Sequence, residues 1–344
     1  MRQVARKENA ALPCIEEVYS WKSLLHSYSR TQEGSRKFKT ESMEFRPYYL
    51  SHIKELQNEL ARGIYVPSDY IEFKVFEPKE RLIYAPRLRD KIVQFSVHKV
   101  LQDIYRPIFH RHSYACLTGR GHHRAAKQVQ QNLYHNPDGW IVKLDIAKFF
   151  YSVDREILKE LLAKHVACHN LLNLLYTIVD SAPGEIGIPL GNVTSQDFAN
   201  IVLNPVDHFV TRFLNVKHYV RFMDDMVWVV ETRSEAKETL GRTRKFLQET
   251  LLLNTNEKTK IFPVRQGVNA YGFKIHRTHM EVREESKRGM KRRMKAMDAK
   301  IREGIVTVKE VQQCVNSWLG HAKHGDCYWL IHHIFDPYPY LEVT

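Results

Sequence analysis

The sequence predicts an α+β fold: an antiparallel sheet flanked by helices, followed by a helical C-terminal part. Three observations carry that expectation. Two apolar runs, Tyr219–Phe222 and Met226–Val230, flank Asp224-Asp225 and read as strands meeting at an acidic turn. A third run, Trp140–Asp145, ends on another carboxylate. Segments of helical period lie on both sides of these strands.

The elements follow in order. Up to about residue 69 the chain reads as a helical extension, because Leu50, Ile53, Leu56 and Leu60 fall at helical spacing and predict one buried stripe. From Tyr70 to Pro86 the period changes to two. Ile71, Phe73 and Val75 alternate with Glu72 and Lys74, Glu77-Pro78-Lys79-Glu80 supplies a turn, and Arg81-Leu82-Ile83-Tyr84 returns, giving a hairpin with a basic tip. Residues 91–107 read as helix. Beyond the strand at 140–145, Asp154 is placed to cap a helix, residues 184–191 form a glycine-bearing loop, and another helix starts at Ser195. From about Glu281 the character changes: Lys287, Arg288, Lys291, Arg292, Arg293 and Lys295 crowd one helical segment, and Val311, Val315 and Leu319 form an apolar stripe after it. The chain therefore divides into 1–69, 70–139, 140–280 and 281–344.

Composition bounds the partners. With 344 residues and 43% hydrophobic content the chain can bury a substantial core. A net charge of +13 makes a polyanion the natural partner. Five cysteines, odd in number and widely spaced, argue against a disulfide framework and for the cytoplasm. His165, Cys168 and His169 resemble part of a zinc site, lack a fourth ligand at suitable spacing, and read as structural. The N-terminus has no sustained apolar region, and no run approaches the roughly 20 apolar residues of a membrane span, so no membrane partner is expected.

Asp145, Asp224 and Asp225 converge if their strands are neighbours. Carboxylates are costly to leave unpaired at a buried strand end, but they are suitable hard ligands for Mg²⁺ that also binds phosphates. An acidic pair alone is most simply a turn.

The wider context favours the metal. Lys143-Leu-Asp-Ile-Ala-Lys-Phe-Phe-Tyr-Ser-Val-Asp154 resembles the first palm motif of reverse transcriptases, Gly187–Asn200 the second, and Tyr219-Val-Arg-Phe-Met-Asp-Asp-Met226 the YxDD motif, with Phe222 in the usual Tyr place. Asn254-Thr-Asn-Glu-Lys-Thr-Lys260 and Tyr271-Gly-Phe273 resemble the lysine and primer-grip motifs that follow, in matching order across roughly 70–280. The resemblance implies a right-hand polymerase, with fingers at 70–139, palm at 140–280 and a helical thumb at 281–344. It implies two Mg²⁺ ions, for which Mn²⁺ can substitute, held by Asp145 and Asp224 with Asp225 in support. Lys79 and Arg81 would grip the triphosphate of a dNTP. Phe150 would exclude a 2′-hydroxyl, against the alternative of a core aromatic, which suits Phe149 as well because consecutive strand residues point opposite ways. Leu190, Gly191 and Gln196 would border the nucleotide, with Gly191 close to the templating pair, and Lys258 would protonate pyrophosphate. Tyr271, Gly272 and Phe273 would form the primer grip, and the basic segment would follow the RNA–DNA hybrid.

Leu190-Gly-Asn-Val-Thr-Ser-Gln196 and Ser317-Trp-Leu-Gly-His-Ala-Lys-His324 resemble the enzymes of diversity-generating retroelements. Related palms serve antiphage defence by copying a noncoding RNA, so both roles stay open, with a structured RNA and a small accessory protein as further partners. Neither an RNase H domain nor a maturase-plus-endonuclease tail is expected in the stretch after Asp225. A catalytically inactive RNA-binding module is the remotest alternative, because the three carboxylates, Lys79, Arg81 and Phe150 are all present.

Overall fold

The structure, a computed structural model, describes residues 14–76 and 80–343. Helices α1 (Ile15–Tyr19), α2 (Trp21–Thr31), α3 (Thr40–Phe45) and α4 (Tyr49–Arg62) come first. Strands β1 (Ile71–Val75) and β2 (Arg81–Ala85) lead to α5 (Leu88–Tyr105), α6 (His122–Tyr134) and β3 (Trp140–Asp145). Then come α7 (Phe149–Ser152), α8 (Arg155–Ala163), α9 (His169–Asp180) and α10 (Val193–His208). Strands β4 (His218–Phe222) and β5 (Asp225–Val230) precede α11 (Arg233–Leu251), which is followed by β6 (Lys260–Pro263), β7 (Val268–Ala270), β8 (Phe273–Ile275) and β9 (Met280–Val282). Helices α12 (Glu284–Arg302), α13 (Val308–Ala322) and α14 (Tyr328–Phe335) follow. Contacts group the chain into two compact units, each drawn from three separate stretches: Met1–Arg111, Ile146–His208 and Arg244–Asn254, and then His112–Asp145, Phe209–Thr243 and Thr255–Thr344.

In the first unit α5 is central, packed by α1, α2, α4 and α10, so Ile92, Val93, Val97, Val100 and Leu101 are all buried. The expected stripe on α4 holds for Ile53, Leu56 and Leu60. Leu50, in the first turn, is half exposed and falls outside it. The β1–β2 hairpin pairs antiparallel from Ile71↔Ala85 to Val75↔Arg81, and Lys79 lies outside the described residues. Asp154 caps α8, its Oδ1 accepting from the Ile157 N–H at 3.0 Å. Two expectations are corrected here. Cys14 and Cys168, at the N-terminal ends of α1 and α9, form a disulfide across 154 residues, so two of the five thiols are paired and Cys168 has none to offer a metal. Phe149 and Phe150 lie in the single turn of α7 rather than in a strand, because Lys148 takes φ +46° and bends the chain out of β3's extended course.

The second unit holds an antiparallel sheet of order β4-β5-β3-β6. From Met226 to Val230 every residue of β5 is buried, which explains an apolar run without alternation. Helix α6 covers β4 and β5 through a core that includes Val129, Leu133, Ile141, Val220, Val227 and Val229. A second sheet, β7-β8-β9, shares that core. Helices α12 to α14 bury their own, with Met290, Met294, Val311, Val315, Leu319, Ile334 and Phe335. Thr307 and Glu310 form a capping box at the start of α13. Among the described residues no helix is long and apolar enough to cross a membrane.

Candidate active site

Strand register builds the acidic site. Asp145 and Asp225 are direct partners at the ends of β3 and β5, and opposed residues of an antiparallel pair project from the same face, their Cβ atoms about 4.5–5.5 Å apart. Asp224 is their neighbour in the two-residue turn closed by the Phe222↔Asp225 pair. Met223, the other turn residue, takes φ +54°, a left-handed conformation that costs a side-chain-bearing residue roughly 1–2 kcal/mol. The fully buried Arg221 supports the turn, its Nη1 donating to the Met223 carbonyl at 3.1 Å.

Neighbours fix Asp145 and Asp225 in turn. The Asn256 side-chain amide donates to Asp145 Oδ2, the Asn256 N–H donates to the Asp145 carbonyl at 2.9 Å, and Thr259 Oγ1 lies 3.3 Å from both the Asp145 N–H and its carbonyl. Lys143, two residues before Asp145 and so on the same face, places Nζ 3.7 Å from Asp225 Oδ1 while donating to the Asn269 carbonyl at 2.9 Å. The Tyr271 hydroxyl lies 3.2 Å from the carbonyls of Val220 and Asp225, joining the β7–β8 turn to the acidic hairpin.

Burial pushes the Asp225 carboxyl above its ordinary range. Lys143 pulls it back, the Asp145 charge adds to the rise, and Arg283 opposes it. Two crowded anions with one lysine beside Asp225 fit a divalent cation, and Mg²⁺ in particular takes one or two carboxylates and leaves its other positions to phosphates and water. Among the described residues, the trios whose ligand atoms all lie within 4.8 Å of one another are His122–His123–His321 and His276–His279–Glu281, so the three aspartates form a more open set than a closed cage.

The model of the family described as reverse transcriptase (RNA-dependent DNA polymerase) matches residues 75–275, the span that holds all three aspartates. The chain belongs to the reverse transcriptase family. Protein YkfC of Escherichia coli K12 is 25% identical over 270 residues, covering 64% of this chain and 70% of that protein. The group II intron-encoded protein LtrA of Lactococcus lactis is 28% identical over 228 residues, covering 61% of this chain and 37% of LtrA. Telomerase from Candida tropicalis, solved with a fragment of telomeric RNA, superposes with a TM-score of 0.50 at 14% identity, over 69% of this chain and 48% of that one. That likeness shows the fold alone: a right-hand polymerase of helices and antiparallel sheet. The reverse transcriptase spans less than half of LtrA and of the telomerase chain.

The enzyme's other candidate residues are unevenly placed. Arg81 is exposed at the start of β2. Phe149 is buried and Phe150 half-buried, so Phe149 is the core aromatic of the two. Gly191, at φ +122°, makes its close approach to β2: an added Cβ would stand 2.7 Å from the Tyr84 carbonyl, and the Tyr84 N–H donates to the Leu190 carbonyl at 2.9 Å. Leu190 is half-buried, while Gln196 and Lys258 are exposed. Tyr271 and Phe273 point into the core, and Gly272 between them is half-buried beside the His321 ring. Glu281 of β9 holds Lys287 of α12 at 2.9 Å, and within α12 Glu284 holds Arg288 at 3.3 Å, while Lys291, Arg292, Arg293 and Lys295 are exposed. Sequence reasoning missed Lys143, Arg221, Asn256 and Thr259 as supports. Each had a signal: Lys143 is at i−2 from Asp145, Arg221 interrupts an apolar strand, and the other two lie in the Asn254–Lys260 motif.

Proposed function

We propose that this chain extends a DNA strand along an RNA template, with Asp145, Asp224 and Asp225 holding two Mg²⁺ ions, for which Mn²⁺ can substitute. The observation that supports it best is the Asp145↔Asp225 pair with Asp224 in the adjoining turn, inside the span of the family match. When bound, the ions acidify a primer 3′-hydroxyl and neutralise the departing pyrophosphate. The protein's part is positional. Asn256 and Thr259 keep Asp145 from rotating, Lys143 tempers the charge of Asp225, and Arg221 and Tyr271 fix the turn.

In the same proposal the parts are an N-terminal extension (1–69), fingers (70–139), palm (140–280) and thumb (281–344). Lys79 and Arg81 grip the triphosphate, Phe150 excludes ribose, Leu190, Gly191 and Gln196 border the nucleotide, and Lys258 protonates pyrophosphate. The Tyr271–Phe273 turn steadies the primer, and Lys291, Arg292, Arg293 and Lys295 follow the hybrid. The template is a dedicated noncoding or template-repeat RNA of a diversity-generating retroelement, served by an accessory protein; the motifs at Leu190–Gln196 and Ser317–His324 support this.

Primer extension on an RNA template tests the activity: dNTPs should be incorporated and NTPs refused, and equal use of both would overturn it. Sequencing the cDNA tests the role. Errors should concentrate opposite template adenine, since Leu190 cannot give the hydrogen bond of a glutamine, worth about 0.5–1.5 kcal/mol. Uniform low error would favour antiphage defence.

A further inference from the structure

Four imidazoles crowd one place in the second unit, and none has a part in the nucleotidyl transfer proposed above. His122 and His123 open α6 with ring centroids 3.8 Å apart. His321, in the last turn of α13, has its centroid 5.7 Å from that of His122 and 5.4 Å from that of His123. His324, just beyond α13, stacks on His123 at 3.6 Å. The ligand nitrogens of His122, His123 and His321 all lie within 4.8 Å of one another. A separate observation points to a missing partner: His123 Nδ1 is shielded from water and has no hydrogen-bond partner among the described residues, where buried polar atoms are nearly always paired. Rings this close cannot all carry protons, and neutral imidazoles with free lone pairs are ligands of borderline-soft dications.

We propose that His122, His123 and His321 bind a transition-metal dication, Zn²⁺ by preference, with His324 or water as the fourth ligand. Three imidazoles and one further position are a tetrahedral zinc set. Zn–N bonds of about 2.0–2.1 Å put neighbouring ligand atoms roughly 3.3 Å apart, so the rings must close by at most about 1.5 Å, a rotation open to half-buried side chains at helix ends. The ion would tie the start of α6 to the end of α13. It would also fix the Tyr271–Gly272 turn, because the His321 ring stands 2.7 Å from where a Gly272 Cβ would be and stacks on Phe273 at 4.5 Å. In the other trio, His276–His279–Glu281, the carboxylate is already held by Lys287 at 2.9 Å, which makes that cluster the natural control.

The test uses untagged full-length protein stripped by a chelator and titrated with Co²⁺ and then Zn²⁺ in the presence of Mg²⁺. One Co²⁺ per chain should bind with the visible absorption of a tetrahedral nitrogen site, Zn²⁺ should displace it, and Zn²⁺ should raise the melting temperature. His122→Asn and His321→Asn should each weaken binding by at least roughly tenfold, the loss that even an indirect partner of a metal ligand causes. Asp224→Asn and His279→Asn should leave it unchanged. No tetrahedral Co²⁺ spectrum, undiminished binding in both histidine variants, or a loss confined to His279→Asn would overturn the proposal. Should those variants fail to fold, carbethoxylation of the wild-type protein decides: Zn²⁺ should protect His122, His123 and His321, and equal labelling with and without Zn²⁺ would refute the site.

Discussion

Two charged regions of this enzyme are built in opposite ways. At the end of the β4-β5-β3-β6 sheet, strand register places the acids, and neighbours hold them: Asn256 on Asp145, Lys143 beside Asp225, Arg221 beneath the turn. On α12, Lys291, Arg292, Arg293 and Lys295 stand in solvent on one helix. The first arrangement fixes where a charge is; the second fixes only how much charge a surface carries. Chemistry on a reacting atom needs the first, since small displacements there are costly in rate. A phosphate backbone of any sequence can be held by the second.

The sharpest way to break this contrast is Asp224→Asn. It should abolish primer extension while leaving the circular dichroism spectrum and RNA affinity nearly intact, and full polymerisation by the variant with Mg²⁺ would end the assignment of the metal site. Asn256→Ala comes next, because it frees Asp145 without changing any acid. Loss of a hydrogen-bond partner of a ligating carboxylate typically costs about 10–100-fold in activity or metal affinity, so the Mg²⁺ concentration for half-maximal extension should rise, and an unchanged Mg²⁺ profile would make Asn256 a bystander.

Replacing Lys291, Arg292 and Arg293 together with Gln should act differently, weakening binding to related and unrelated RNAs alike. The slope of log K against log salt should flatten by up to about one unit per lost phosphate contact; an unchanged slope would show that this face of α12 only meets water. The smallest effect sharpens the same comparison within the helix. Lys287→Gln should leave the salt slope alone, because Glu281 already holds that lysine. The hydrogen bond from Lys287 holds the Glu281 carboxyl below its usual 4.5, against a smaller upward push from burial. A depressed carboxyl stabilises the fold above its unfolded value and loses that contribution as pH falls through the folded one. The variant's deficit should therefore be under about 1 kcal/mol near neutral pH, since the Glu281 side chain is 41% exposed, and should shrink as pH falls from 4.5 through the lower folded value; urea titrations across that range check it.

Local pattern made much of this legible in the sequence. Strands β3, β4 and β5, the Asp154 cap and the Val311–Val315–Leu319 stripe each follow from residues within one element. The acidic site was legible too, because its parts end strands. What stayed hidden depends on partners far along the chain: Asn256 reaches Asp145 across 111 residues, Lys143 reaches Asn269 across 126, and Cys14 meets Cys168 across 154. No periodicity encodes such meetings. The turn at Lys148 was missed for a different reason, since nothing beside a left-handed lysine announces that Phe149 and Phe150 leave the strand.

The pairing of Asp145 with Asp225 also bears on which changes of chain length the enzyme can inherit. Side chains alternate along a strand, so removing one residue from within β3 or β5 would turn a carboxylate to the far face and part the pair. Exchanges among Val, Ile and Leu in those strands keep the parity, and so does a gain or loss of residues between the end of β3 and the start of β4. Single-codon deletions should therefore be tolerated best in the exposed turn at residues 184–186 and be lethal to synthesis within 140–145 or 225–230, where a deletion scan would find the strands.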